Sequence, residues 1–315
     1  MNNIDINPKI LASEAAEILD TSIQNIHKKI KEMNLKTNKA QNRVYFGHSA
    51  SRKLFNFHFN SKIYSFQLVK GGVGKTVISL MFSIKSALLG AKVLLIEVDQ
   101  QSNLTRTFKI DASDKPVMID IITQKIPIEE ALFPIIDGLD FIPSRVDNAL
   151  LDNTLLLGKY PLDKVLLSLL EPLKEKYDAI IIDCPPSIGA AVTAVALTSD
   201  IIILPINPTD YSIAGLELTY RELMDLFNTY GKNIETKILF NKYDGRTSLS
   251  FNTLSQLIKH PVFGPKMIQT YIRTSQAIEN CVLKGKTIFD TIRNTSEKED
   301  FTAITKELLG VANNA

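Results

Sequence analysis

The chain has 315 residues, of which 45% are apolar and 22% charged, with a net charge of +2. These values suit a globular protein with a sizeable core and exclude a disordered or fibrous class. Two cysteines, Cys184 and Cys281, are too few for a disulfide framework or a thiolate metal cluster, and no apolar run reaches the ~20 residues of a membrane span, so a soluble, cytoplasmic protein with no membrane partner is expected.

Charge is unevenly spread. Residues 1–62 carry ten basic side chains against five acidic ones, which leaves the remainder mildly acidic. A basic head points to nucleic acid. Within it, Ser13 can cap a helix running to Leu19, and Thr21 or Ser22 can cap a second, in which Ile23, Ile26, Ile30 and Met33 recur at helical spacing. A loop and a strand ending in Val44-Tyr45-Phe46 follow, then a short helix from Ser49 to Phe55. Helix, tight turn, helix and basic strand describe a helix-turn-helix with a wing. Its second helix would offer Gln24, Asn25, His27, Lys28 and Lys31 to a DNA groove. Phe55, Phe57 and Phe59 are expected to pack on the body.

From Ile63 onward, apolar strands alternate with amphipathic helices. Strands are predicted at 63–69, 92–98, 139–143, 178–183, 200–206 and 236–241. Helices are predicted at 76–89, 161–176, 189–198, 212–229, 250–258, 274–283 and 297–310. Runs such as AIIID and DIIILPI suit strands buried on both faces of a parallel sheet. The predicted fold is therefore α/β, a doubly wound, mostly parallel sheet with helices on both faces, of P-loop type by the Gly71-Gly72-Val73-Gly74-Lys75-Thr76 segment after its first strand, plus a small N-terminal winged helix-turn-helix domain. The expected division is 1–60 for the head and 61–315 for the body.

Between the first body strand and its helix stands Lys70-Gly71-Gly72-Val73-Gly74-Lys75-Thr76. Glycines let successive backbone N–H groups, here Gly71 to Val77, surround phosphate oxygens, and the helix N-terminus adds partial positive charge. Lys75 would neutralise the phosphates and the Thr76 hydroxyl would bind Mg²⁺. KGGVGKT, with Val69 where the regular pattern has glycine and with the additional Lys70, resembles the deviant Walker A family of ParA partition ATPases, MinD and the nitrogenase iron protein. That resemblance implies that Lys70 reaches across a nucleotide-sandwich homodimer to the partner's ATP.

The next strand ends in Glu97-Val98-Asp99-Gln100 where the family has Asp-x-Asp-Pro. By resemblance Asp99 positions the attacking water. Glu97, one methylene longer than the usual Asp, would reach magnesium through water or serve as a structural acid. In IIDCPPSIGAAVTAVALTSDIIILPI, the fullest match to the ParA pattern, Asp183 is the acid expected on a magnesium-bound water, with Cys184 a buried filler. Asn241-Lys242-Tyr243-Asp244 fits the NKxD guanine signature, but the ParA-like continuation Tyr243-Asp244-Gly245-Arg246-Thr247 favours ATP, with Asn241 on the adenine edge. Arg273 falls where the family places an arginine near the base, without the proline that usually precedes it.

The resemblance covers nearly all of residues 63–315, and EAAEILDTSIQNIHKKIKEMNL with NRVYF resembles the winged heads of MerR-like regulators and of larger ParA proteins. It implies a weak ATPase that uses ATP and Mg²⁺, dimerises, holds nucleoid DNA and is stimulated by a ParB-like partner. Repression of its own operon would follow from a DNA-reading head. The alternative is a nucleotide-regulated transcription factor or scaffold with little turnover.

Overall fold

The computed structural model describes residues 5–209 and 212–311. The head contains β1 (Ile10–Leu11), α1 (Ala12–Ile18), α2 (Ile23–Glu32), β2 (Asn38–Ala40), β3 (Arg43–Phe46) and α3 (His48–Phe55). The body continues with β4 (Lys62–Phe66), α4 (Lys75–Leu88), β5 (Val93–Glu97), α5 (Asn103–Thr107), α6 (Met118–Gln124), β6 (Phe133–Ile136), β7 (Leu139–Ile142) and α7 (Leu151–Leu157). It ends with α8 (Leu167–Leu170), β8 (Ala179–Asp183), α9 (Ala190–Thr198), β9 (Ile201–Ile206), α10 (Ser212–Tyr230), β10 (Glu235–Phe240), α11 (Ser248–Lys259), α12 (Gln276–Leu283) and α13 (Ser296–Leu309).

The unbroken apolar runs of β5, β8 and β9 lie inside one seven-stranded sheet of order β10-β9-β4-β8-β5-β7-β6. Every pairing in it is parallel except β6 with β7. Alternate residues serve opposite faces. Tyr64, Phe66, Leu95 and Ile181 pack with α4 and α13, while Ile63, Leu94, Ile96 and Ile180 pack with α6, α7 and α9. This is the helix-covered, mostly parallel sheet expected from the body.

Two departures have local causes. The helix expected over 161–176 is broken into a turn, the short α8 and a 3₁₀ turn at Glu171–Glu175, because Pro172 has no N–H to continue the helical ladder. Strand β6 carries Pro134, and it occupies the sheet edge, where a missing donor costs no ladder bond.

In the head, Ser22 caps α2 by accepting from the Asn25 amide at 3.2 Å. Strand β3 pairs antiparallel with both β1 and β2. Gln41 and Asn42, with φ of 46° and 60°, form the tight turn between β2 and β3, a conformation that suits the twist of a hairpin. Head and body are not separate cores. Ile10, Ala15, Ile26, Phe46 and Leu54 share one apolar cluster with Phe289, Phe301 and Ile304 of the body. Phe55, Phe57 and Phe59 join it, Phe55 stacking on Phe57 at 5.4 Å between ring centroids. A buried ionic cluster lies at the same junction. Glu14 of α1 accepts from the Leu11 amide at 2.7 Å and meets Lys298 of α13 at 3.6 Å, beside Lys85 of α4.

Candidate nucleotide site

The carboxyl ends of β4, β5, β8, β9 and β10 form one rim, where open α/β sheets bind ligands. The loop Lys70–Gly74 leaves this rim and enters α4 at Lys75. Gly74 has φ of 93°, and a β-carbon on it would lie 2.6 Å from the side-chain nitrogen of Asn241, so only glycine fits. Two asparagines hold the loop. Asn241 Nδ2 donates to the Val73 carbonyl at 2.8 Å, and Asn207 Nδ2 donates to the Gly72 carbonyl at 3.2 Å. Asn207 was not singled out from the sequence. The Asn207-Pro208 turn at the end of a buried strand was the available signal.

Lys75 is 6% exposed and its Nζ donates to the carbonyls of Leu68 at 2.9 Å and Lys70 at 3.4 Å. Burial lowers its pKa, and the Asp183 carboxylate pulls it partly back. Asp183, fully buried at the end of β8, has no hydrogen-bond partner for either carboxylate oxygen among the described residues. Burial raises its pKa, and the charge of Glu97 adds to the rise. The Thr76 hydroxyl and Lys75 offset part of this, Thr76 from within electrostatic reach but without good hydrogen-bond geometry. Two unpaired carboxylate oxygens beside a threonine at a helix N-terminus are a donor set suited to a hydrated Mg²⁺, which favours oxygen ligands. Asp99, 5% exposed, accepts from the Gln101 amide at 2.9 Å and acts electrostatically on Asp183 and Lys75. Cys184, next to Asp183 in the chain, is buried, the apolar filler expected.

Other expected site residues are engaged differently. Glu97 is fully buried in register with Asp183 on the adjacent strand, but its carboxylate accepts from the Leu104 amide at 2.7 Å and from Thr105 at 3.0 Å (amide) and 2.6 Å (hydroxyl). These bonds tie Glu97 to the start of α5 while its charge still acts on Asp183. Burial raises its pKa against those bonds. Lys70 Nζ donates to Thr209 Oγ1 at 2.5 Å. The Arg273 guanidinium is folded onto Asp300 of α13, Nη2 to Oδ1 at 2.6 Å, rather than directed at the loop. Asp244 accepts from Arg246 through Nε at 2.9 Å and Nη2 at 2.8 Å, which pulls its pKa down to about 2. Val77 lies half-buried in the first turn of α4.

On α2, Gln24, His27, Lys28 and Lys31 are exposed, with Lys28 loosely paired to Glu32 at 3.8 Å. Asn25 is turned back, its Nδ2 donating to Thr21 Oγ1 at 2.8 Å, so it belongs to the helix cap. Ile26 is fully buried as expected, whereas Ile23 is 39% exposed.

Residues 61–238 match the AAA domain family AAA_31. The chain belongs to that family. This AAA-domain chain is 29% identical over 253 residues to the virulence plasmid ParA family protein pGP5-D of Chlamydia psittaci, covering 78% of its own length and 94% of the relative's. Its fold is similar to that of McdA from Cyanothece in a complex with ATP, with a TM-score of 0.71 at 20% identity, covering 82% of this chain and 100% of the other. It is also similar to a plasmid partition protein from Borrelia burgdorferi, with a TM-score of 0.63 at 20% identity over 80% of this chain and 100% of the other. The nucleotide-binding α/β body expected from KGGVGKT therefore agrees with the family matched and with the fold of these neighbours. Among the described residues, no helix is long and apolar enough to cross a membrane.

Proposed function

We propose that the protein is an ATP- and magnesium-dependent partition switch of ParA type. It binds ATP, pairs with a second copy across the nucleotide and holds nucleoid DNA until a ParB-like partner stimulates hydrolysis. The observation that carries the nucleotide part is Asp183. A buried carboxylate with both oxygens unpartnered costs stability unless a ligand satisfies it.

In this reading Lys75 turns from the Leu68 and Lys70 carbonyls to the β- and γ-phosphates, and the backbone of Gly71–Val77 cradles them. Thr76 and, through water, Asp183 would hold Mg²⁺, which supplies charge neutralisation at the phosphates. Asp99 orients the attacking water. Lys70 leaves Thr209 for the partner's ATP. Asn241 has a second amide hydrogen and a carbonyl oxygen for the adenine edge while holding Val73. Adenine is favoured over guanine because the Asp244 carboxylate, which would accept from guanine, is engaged by Arg246. Glu97 acts from beneath the site through α5, and Arg273 braces α13.

The head is a winged helix-turn-helix in this reading, with Gln24, His27, Lys28 and Lys31 toward DNA, and it can repress the protein's own operon. The deciding test is binding to a long duplex of arbitrary sequence with ATP and with ADP at one stated salt concentration. Binding that requires ATP is expected. Binding indifferent to nucleotide, or none, overturns the switch.

A further inference from the structure

The head and body meet around a cleft of ≈ 570 Å³ whose lining includes His27, Asn42, Arg43, Arg293 and Asn294. Among the described residues no carboxylate lines it, and neither Arg43 nor Arg293 makes an ion pair. Arg52, Arg145, Arg246 and Arg273 each meet a carboxylate at 2.8 Å or less, while among the described residues Arg106 and Arg221 also make no ion pair but lie outside this cleft. The cleft is held at its rim by Arg43, whose Nη1 donates to the Ile292 carbonyl at 2.6 Å. The hairpin turn is thereby fixed to the residue next to Arg293, and the shared apolar cluster keeps head and body from moving apart there.

We propose that this cleft seats one sugar–phosphate backbone of duplex DNA, so that Arg293 of the body extends the DNA-contacting surface of the head. The inference rests on the head reading given above and adds to it a residue from the ATPase body. Concave surfaces lined by one sign of charge focus potential, and guanidinium groups match phosphate oxygens. A duplex is favoured over a small anion because the two guanidinium groups belong to the hairpin and to the segment clamped against it, with His27 of α2 beside them. Those are the parts that lie beside a duplex when α2 enters a groove. Contacts of this kind position the protein and carry no base sequence.

The test uses the full-length protein, the variants Arg293→Glu and Arg293→Lys, and fluorescence anisotropy with labelled duplexes of differing sequence across a salt series. Arg293→Glu is expected to weaken binding several-fold on every sequence and to reduce the slope of log K against log salt by about 1, with an unchanged melting temperature. Arg293→Lys keeps the charge and is expected to stay close to the parent. Parent-like affinity and slope in Arg293→Glu would overturn the cleft assignment, and so would an equal loss in both variants. If the parent chain binds no duplex at all, the head reading falls with it. If the parent binds and only substitutions on α2 weaken it, the cleft alone falls.

Discussion

Asn241 donates to the carbonyl of Val73 at 2.8 Å, and these residues lie 168 positions apart in the chain. The end of β10 therefore holds the middle of the phosphate loop. Removing one partner of a buried hydrogen bond costs ~1–3 kcal/mol, because the other is left unsatisfied. Asn241→Ala is expected to weaken nucleotide binding about tenfold or more, 1.4 kcal/mol being one factor of ten. A fluorescent-nucleotide titration checks this, and parent-like affinity would show that the loop keeps its shape without the clamp.

Asp183→Asn should separate stability from function. The substitution removes a buried carboxyl that has no hydrogen-bond partner among the described residues and that burial makes costly to ionise, so the nucleotide-free variant is expected to melt at a higher temperature. The stabilisation that magnesium with ATP gives the parent chain should disappear. Thermal melts with ATP, with and without Mg²⁺, decide the matter. A variant still stabilised by the metal would mean that Asp183 does not hold it.

Asp99→Ala is expected to bind ATP and to dimerise while losing turnover, since Asp99 sits with Lys75 and Asp183 but holds no part of the loop. Phosphate release measured beside nucleotide binding distinguishes the two effects. Normal hydrolysis in this variant would assign the attacking water to another group.

Lys85 lies fully buried at the junction of α4 with the head, and burial lowers its pKa from 10.5 to about 8. Between those values the unfolded chain holds the proton and the folded chain does not. This group therefore makes stability rise with pH from about 8 to about 10.5, and its full penalty is present below about 8. Lys85→Met should raise stability at neutral pH and flatten that part of the profile, since Glu14 keeps Lys298 as its counter-ion. Denaturant melts at several pH values test this. An unchanged pH dependence would assign the slope to other buried lysines.

Removing residues 1–60 should yield an insoluble or unfolded protein. The truncation opens the apolar cluster that Phe289, Phe301 and Ile304 share with Ile10, Ala15 and Phe46, and each large apolar side chain returned to water costs ~1.5–3 kcal/mol. A double substitution of Lys28 and Lys31 by alanine, both exposed, should fold normally and probe DNA binding without that cost. A soluble, nucleotide-binding truncation would show the head to be an independent unit.

The sequence by itself determined the phosphate loop, the parallel sheet and the position of Asp183. The loop is a run of consecutive residues whose backbone conformation and charge are local properties. The sheet is written in AIIID and DIIILPI, which are apolar through their middles because both faces are covered. Asp183 stands out because an acid closing such a run must be buried. Helix α2 of the head is legible for the same kind of reason, in the Ser22 cap followed by isoleucines at helical spacing, whereas Ser13, expected to cap the first helix, lies inside α1, which starts at Ala12.

What the tertiary structure decided are pairings between residues distant in the chain. Glu97 is held by the start of α5, Arg273 by Asp300, and the loop by Asn207 as well as Asn241. The head is joined to α4 and α13 by Glu14 and by a shared core. Periodicity and composition record how much of each side chain is buried and on which face. They do not record which partner arrives there, because that depends on the order in which the strands are laid side by side and on where the helices cross them.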